Sequence, residues 1–274
     1  MRLKDKVVLI TGASRGVGAA VALACAREGA HVALASKTVD PNPRLPGTLG
    51  EVAEQVRALG REALIIPTDV RDAEQVDRMV SETVRVFGRL DAVINNAGAI
   101  FWSPVADWPT KKFDLVFGVN VRAAFMVSRA AIPHLRKQGG HVVMMSPPIN
   151  PKAAPGKGPY MVSKIGMTMV GMAIDAEEAN VAAHALWPVT AIRSAATENL
   201  GMGGPKEWRE ADILADATVA LIAKDPTKSK FRAWLDEEVL AEEGITDFKK
   251  YRCDPDFEPE PLSIALVDPD WKRS

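Results

Sequence analysis

The stretch Val7-Val8-Leu9-Ile10-Thr11-Gly12-Ala13-Ser14-Arg15-Gly16-Val17-Gly18 passes from an apolar strand, through a turn holding three glycines, into the helical run Ala19 to Arg27. Glycine at such a joint permits a tight bend and close backbone approach, and the helix N-terminus presents unpaired N–H groups and positive potential. The spacing is Gly-x3-Gly-x-Gly rather than Gly-x-Gly-x-x-Gly, but it does the same physical job. It reads as a cradle for the pyrophosphate of a dinucleotide, with Gly12, Ser14, Arg15, Gly16, Val17 and Gly18 as its candidate contacts.

Outward from this joint, short apolar runs alternate with amphipathic helices. His31–Ser36, Ala63–Thr68, Ala92–Asn95, His141–Ser146, Val181–Trp187 and Phe231–Leu235 read as strands. They are apolar throughout rather than alternating, as parallel strands covered on both faces are. Between them, Val76, Met79, Val80, Thr83, Val84 and Phe87 line one helix face, opened by Asp72 with Gln75 as a capping pair and stopped at Gly88. Val52, Val56 and Leu59 line another, ending at Gly60. The alternation predicts an α/β doubly wound parallel sheet, a Rossmann fold of about seven strands in one domain. That domain spans 1–253, with a glycine-bearing lid at 197–212, and a tail rich in proline and acids follows over 254–274, expected to wrap over the surface. Pro41, Pro43 and Pro46 make the segment from Thr38 to Gly47 an extended loop.

Composition narrows the function classes. The 274 residues are 47% hydrophobic and 25% charged with a net charge of −1, so no field favours nucleic acid or an anionic membrane. The apolar run Val7 to Thr11 is too short for a signal segment or membrane span. Cys25 and Cys253 stand far apart, and Cys25 reads as a buried thiol in a reducing compartment, with the cytoplasm as the expected location. No His, Cys or carboxylate cluster has metal-ligand spacing. His134 and His141 read as surface residues and His184 as packed in a strand or interfacial. Met144, Met145, Met161, Met167, Met169 and Met172 read mostly as core.

Tyr160 and Lys164 stand four residues apart and on a helix lie one above the other. A nearby ammonium favours phenolate and lowers a tyrosine pKa from about 10. Such a tyrosine exchanges a proton with an alcohol or carbonyl oxygen near neutral pH, which suggests redox chemistry at a carbonyl. The choice of dinucleotide follows from charge. NAD-binding versions of this turn end the second strand with an acid that bonds the ribose 2′-hydroxyl. Here Ser36 stands there, followed by Lys37 and Thr38, with Arg15 in the glycine turn and Arg44 in the proline-rich loop. No carboxylate repels a 2′-phosphate and two cations are ready to pair with it, which points to NADP(H) in preference to NAD(H).

Taken together, Thr-Gly-x3-Gly-x-Gly, then Asn95-Asn96-Ala97-Gly98, then Tyr160-x3-Lys164 resemble the short-chain dehydrogenase/reductase family over residues 5 to about 240. A closer likeness is to the hydroxysteroid dehydrogenase-like 2 group and its bacterial relatives. It is carried by Ala35-Ser36-Lys37-Thr38, Met145-Ser146-Pro147-Pro148, Ala185-Leu186-Trp187-Pro188-Val189-Thr190-Ala191-Ile192 and Asp236-Glu237-Glu238-Val239-Leu240. Animal members of that group carry a further sterol-carrier module.

The resemblance implies Tyr160 as general acid/base, with Lys164 lowering its pKa and bonding the nicotinamide ribose, and Asn120 holding a water that links Lys164 to solvent. It also implies Asp69 and Val70 at the adenine and Asn96, Ala97 and Gly98 along the cofactor. Pro188, Thr190 and Ile192 would flank the nicotinamide, although Val189 replaces the usual glycine. Phe101, Trp102 and the lid residue Met202 are candidates for the substrate pocket of a small apolar alcohol or carbonyl. A homodimer or homotetramer, built on the helices of Asn120 and Tyr160, is the family habit. The departure concerns serine. Thirteen residues before Tyr160, where the family commonly has its catalytic serine, stands Pro147, which has no hydroxyl. Ser146 is the candidate in its place, or else a cofactor-side or structural serine. That departure motivates a second reading, a dinucleotide-binding sensor or interaction protein with weakened catalysis.

Overall fold

The computed structural model describes residues 1–40, 46–148 and 156–262. Arg44 and the tail beyond Leu262 lie outside these residues. The main sheet has seven parallel strands in the order β3-β2-β1-β4-β5-β6-β9. They are β1 (Val7–Thr11), β2 (His31–Ser36), β3 (Ala63–Pro67), β4 (Ala92–Asn95), β5 (Gly140–Met144), β6 (Val181–Trp187) and β9 (Ala233–Leu235). Strand order reverses between β1 and β4, where a crevice opens at the carboxyl ends of the strands. Two short strands unforeseen in the sequence, β7 (Ala191–Ile192) and β8 (Trp208–Arg209), pair in a separate sheet above that crevice.

Alternation along each strand feeds two cores. Val8, Ile10, Val32 and Leu34 face one side, and Val7, Leu9, Ala33 and Ala35 the other. The first side is covered by α1 (Gly16–Arg27), α2 (Leu49–Ala58), α8 (Asp212–Ile222) and α9 (Asp236–Glu242). The second is covered by α3 (Ala73–Phe87), α5 (Ala123–Leu135) and α6 (Gly158–Glu177). Asp72 accepts from the backbone N–H of Glu74 and Gln75 to cap α3, and Gly88 ends it at a φ of 75°. Two short helices, α4 (Thr110–Phe117) and α7 (Ala195–Asn199), stand near the crevice. By length and composition alone the run Thr110–Leu135 suffices to cross a membrane. In this fold Ala124, Val127, Ala131 and Leu135 pack it into the core.

At β5 the structure departs from expectation in two ways. β5 stops at Met144 because Pro147 and Pro148 have no N–H to continue the ladder; Ser146 N–H makes the last bond, to the Leu186 carbonyl at 3.1 Å. His141 is buried, not superficial, because β5 lies between β4 and β6 and its start is covered by the Lys224 backbone.

Candidate active site

The glycine turn is bolted to the turn after β4. Thr11 Oγ1 accepts from the backbone N–H of Asn96 at 3.1 Å and of Ala97 at 3.0 Å. Asn96 Nδ2 donates back to the carbonyls of Thr11 at 2.9 Å and Gly12 at 3.2 Å. A Cβ on Gly18 would stand 2.3 Å from the Gly12 oxygen and 2.6 Å from Asn96 Nδ2, so only glycine lets the helix start this close. Above lies a cleft of about 480 Å³ lined by Gly12, Ser14, Arg15, Gly16, Val17, Ser36, Lys37, Thr38, Asp69, Val70, Asn96, Ala97 and Gly98. These are the residues the sequence nominated for the cofactor's phosphates and adenosine. Its charge is arranged as follows. Arg15 donates to the carbonyls of Pro46 at 3.1 Å and Gly47 at 3.0 Å. Arg71 grips Asp69 with both guanidinium arms, Lys37 stands 3.7 Å from the same carboxylate, and the Arg71 bonds hold Asp69 down at about 2.

Next to this cleft is a mainly apolar chamber of about 260 Å³. The two share Val17, Asn96, Gly98, Ser194 and Ala196 in their walls, so they form one continuous crevice. Tyr160 and Lys164 line the chamber from α6, with Trp102, Met145, Trp187, Pro188, Ile192 and Met202 around them. Lys164 Nζ donates to the Met145 carbonyl at 2.8 Å, and burial pulls its pKa down to about 8. Burial also drives the Tyr160 phenol above its ordinary value, so in the free protein the lysine does not produce the lowered tyrosine expected from spacing alone. Asn120 is wholly buried in a π turn, Gly118–Arg122, joining α4 to α5. Such turns often mark functional sites. Its Oδ1 accepts from the Ala99 N–H at 2.8 Å, and its Nδ2 donates to the Ala99 carbonyl at 3.0 Å and to Ser163 Oγ at 2.9 Å. Ser163 in turn donates to the Tyr160 carbonyl at 2.7 Å, tying the tyrosine's turn of α6 to the asparagine.

With this geometry goes a family match: the profile described as short chain dehydrogenase covers residues 6–200. The chain belongs to the short chain dehydrogenase family. It is 40% identical over 259 residues to hydroxysteroid dehydrogenase-like protein 2 of Danio rerio, across 93% of this chain and 62% of that protein. The chain therefore spans less than two thirds of that relative's length. A crystal structure from Xanthomonas campestris, described provisionally as a dehydrogenase, is 38% identical with a TM-score of 0.91, over 96% of this chain and 98% of that one. More distant solved structures include a carveol dehydrogenase of Mycobacterium avium with NAD and an alcohol dehydrogenase of Thermococcus sibiricus with 5-hydroxy-NADP.

Not every nominated residue of this family member reaches the crevice. Ser146 is fully buried and is not in the chamber wall; its Oγ lies 2.9 Å from Thr168 Oγ1, which donates to the Pro147 carbonyl at 2.7 Å. Thr190 is likewise buried, 3.3 Å from the Ala191 carbonyl, and outside both cavity walls. Phe101 packs behind the chamber, edge-on to Trp108 at 5.0 Å. Conversely, Ile100, Trp187, Leu200, Leu214 and Leu262 line the chamber without having been nominated. Trp187 ends β6 beside Pro188, and its position as the last residue of an apolar strand was the available signal. Leu262 had none, because nothing in a proline-rich tail announces where it lands.

Proposed function

We propose that the protein is an NADP(H)-dependent oxidoreductase that moves hydride between the nicotinamide and an apolar alcohol or carbonyl, with Tyr160 as general acid/base. The observation that carries this reading is the continuity of the two cavities, with Tyr160 and Lys164 in the chamber just beyond the shared wall. Arg15, Ser36, Lys37 and Thr38 would hold the adenosine 2′-phosphate, since no carboxylate ends β2 and Asp69 is already engaged by Arg71 and Lys37. Gly12, Gly16 and the start of α1 would hold the pyrophosphate. The bound dinucleotide supplies or accepts the hydride. The chain does the rest. Tyr160, whose pKa burial alone raises, gives its proton to the substrate oxygen in reduction and takes it back in oxidation. Lys164, with one of its three N–H groups on Met145, keeps the others for the ribose hydroxyls and for the phenol once it ionises. Asn120 and Ser163 fix the tyrosine's turn of helix.

The chamber supports an apolar substrate, since Ile100, Trp102, Trp187, Leu200 and Met202 surround Tyr160 and Lys164 is the one charged residue in its wall among the described residues. Phe113, Phe125, Val162, Met169 and Met172 stand exposed on α4, α5 and α6 and support a homo-oligomer through that face. Free Cys25 and Cys253 fit a reducing cytoplasm.

The test is NADPH and NADH titration, followed by turnover of aliphatic, terpenoid and steroid carbonyls by wild type and Tyr160→Phe. Tyr160→Phe is expected to bind NADPH normally and to lose about 10²–10⁴-fold in kcat. NADPH binding with no turnover distinguishable from Tyr160→Phe would instead favour the sensor reading, which the turned-away Ser146 motivates.

A further inference from the structure

The described part of the tail does more than cross the surface. Arg209 in β8 and Arg252 form an antiparallel backbone bridge; Cys253 N–H donates to the Trp208 carbonyl at 3.1 Å and Glu210 N–H to that of Tyr251 at 2.7 Å. Lys206 Nζ stands 4.0 Å from the Phe257 ring. The tail is thus sewn to the lid. Glu258 then takes both Arg209, at 2.7 Å, and Arg252. Arg209 is wholly buried, and its other arm reaches Glu237 of α9 at 2.5 Å. A buried guanidinium is tolerated only when paired, and its planar fork suits two carboxylates at once, so Glu258 is held where it is.

Between Glu258 and Leu262 stand Pro259 and Pro261. Proline fixes its own φ and keeps the preceding residue extended, so this link is stiff. A residue held at 258 therefore determines where 262 lands. Leu262 N–H donates to the Val189 carbonyl at 2.6 Å, and Leu262 lines the chamber, packed against the cluster that holds Tyr160, Trp187 and Met161. The lid is coupled to the same clamp, because Trp208 Nε1 donates to the carbonyl of the chamber residue Met202 at 2.6 Å.

We propose that residues 254–262 form a latched wall of the substrate chamber, fixed by Glu258 between Arg209 and Arg252, and that Leu262 sets the bulk of apolar substrate admitted. This rests on the chamber being the substrate site. Two measurements on the full chain test it. In Glu258→Gln, hydrogen exchange of peptides covering 187–192 and 205–210 is expected to quicken about tenfold, with β1 unchanged. In a series of ketones from one ring to fused rings, Leu262→Ala is expected to raise kcat/KM for the bulkiest relative to the smallest about tenfold, and Leu262→Phe to lower it, with the Kd for NADPH unchanged. Exchange unaltered in Glu258→Gln, or a ratio constant across both Leu262 variants, would overturn the proposal. Should wild type reduce none of the ketones, the functional reading falls while the exchange measurement still decides the latch. Should Glu258→Gln not fold, the Leu262 pair decides it.

Discussion

Ser146, just past the end of β5, and Lys164, which reaches that end from α6 to the Met145 carbonyl, are both buried polar residues, yet they stand in opposite relations to the chamber. The serine hydroxyl faces Thr168 on α6, and neither Ser146 nor Pro147 is in the chamber wall. Ser146→Ala is therefore expected to leave kcat within about threefold and to cost about 1 kcal/mol in urea unfolding, one buried hydrogen bond. A loss of about 10²–10³-fold in kcat would instead mean that the hydroxyl donates to the reacting oxygen. Lys164 does enter the chamber wall, and it destabilises the free protein in doing so. Burial moves its pKa from the ordinary 10.5 down to about 8. At pH 7 the ammonium is charged in both folded and unfolded chains, and the folded one bears a penalty on the order of 3 kcal/mol. Between pH 8 and 10.5 the unfolded chain holds the extra proton, so this penalty fades as pH rises. Lys164→Met, which also forfeits the bond to Met145, is expected to gain about 1–2 kcal/mol at pH 7 and progressively less toward pH 10. Urea curves at pH 7 and 9.5 check this; a Met variant less stable than wild type at pH 7 would refute it.

At the scale of elements, the strand-to-helix joint and the parallel order were legible because each rests on local chemistry. Thr11 to Gly18 needs glycine where Gly18 meets the Gly12 carbonyl, and unbroken apolar runs need cover on both faces. Less legible were features decided by distant partners. β7 and β8 are two residues each and exist only because they pair with each other. The orientation of Ser146 is set by Thr168, twenty-two positions away. His141 and His184 belong to this class, since their rings stack 5.6 Å apart across β5 and β6. His141 Nε2 lies 3.0 Å from the Lys224 carbonyl and so carries a proton; His184 Nε2 then donates to His141 Nδ1 at 3.3 Å, leaving His184 Nδ1 buried without a partner among the described residues. Burial holds both rings neutral, with pKa values down to about 4 and about 3. Their contribution is complete above the unfolded value near 6.5 and is lost as pH falls toward 4, because only the unfolded chain takes up protons in that window. The loss is on the order of 3 kcal/mol for each ring. His184→Leu should flatten the acid limb of stability between pH 7 and 4.5, measured by urea unfolding; a limb as steep as that of wild type would exclude the pair as its source.

At the scale of the whole molecule, the exposed methionines bear on assembly. Met144, Met145, Met161 and Met167 are core as their composition suggested, but Met169 and Met172 are 50% and 40% exposed on α6, beside Val162 at 58%. Phe113 and Phe125, 39% and 49% exposed, stand on the adjoining α4 and α5. A groove of about 370 Å³ between α5 and α6, lined by Phe125, Ile132, Val170 and Ile174 with Arg129 and Glu177 at its margin, belongs to the same face. Scattered exposed apolar residues need no explanation, but five large ones on adjoining helices, with Phe125 among them in the groove wall, are typical of an interface. This is also the face that carries the π turn of Asn120 and the helix of Tyr160, so assembly there would stiffen the elements that hold the site. The protein is expected to be a dimer or tetramer by light scattering at micromolar concentration. Val162→Glu with Met169→Glu places charge on two of the most exposed positions without touching the chamber wall, and should yield monomers with the circular dichroism of wild type. Those monomers should show a melting temperature that no longer rises with protein concentration, whereas the wild type's should, since association stabilises only the folded chain. A double variant with the mass of wild type would place the contact elsewhere on the molecule.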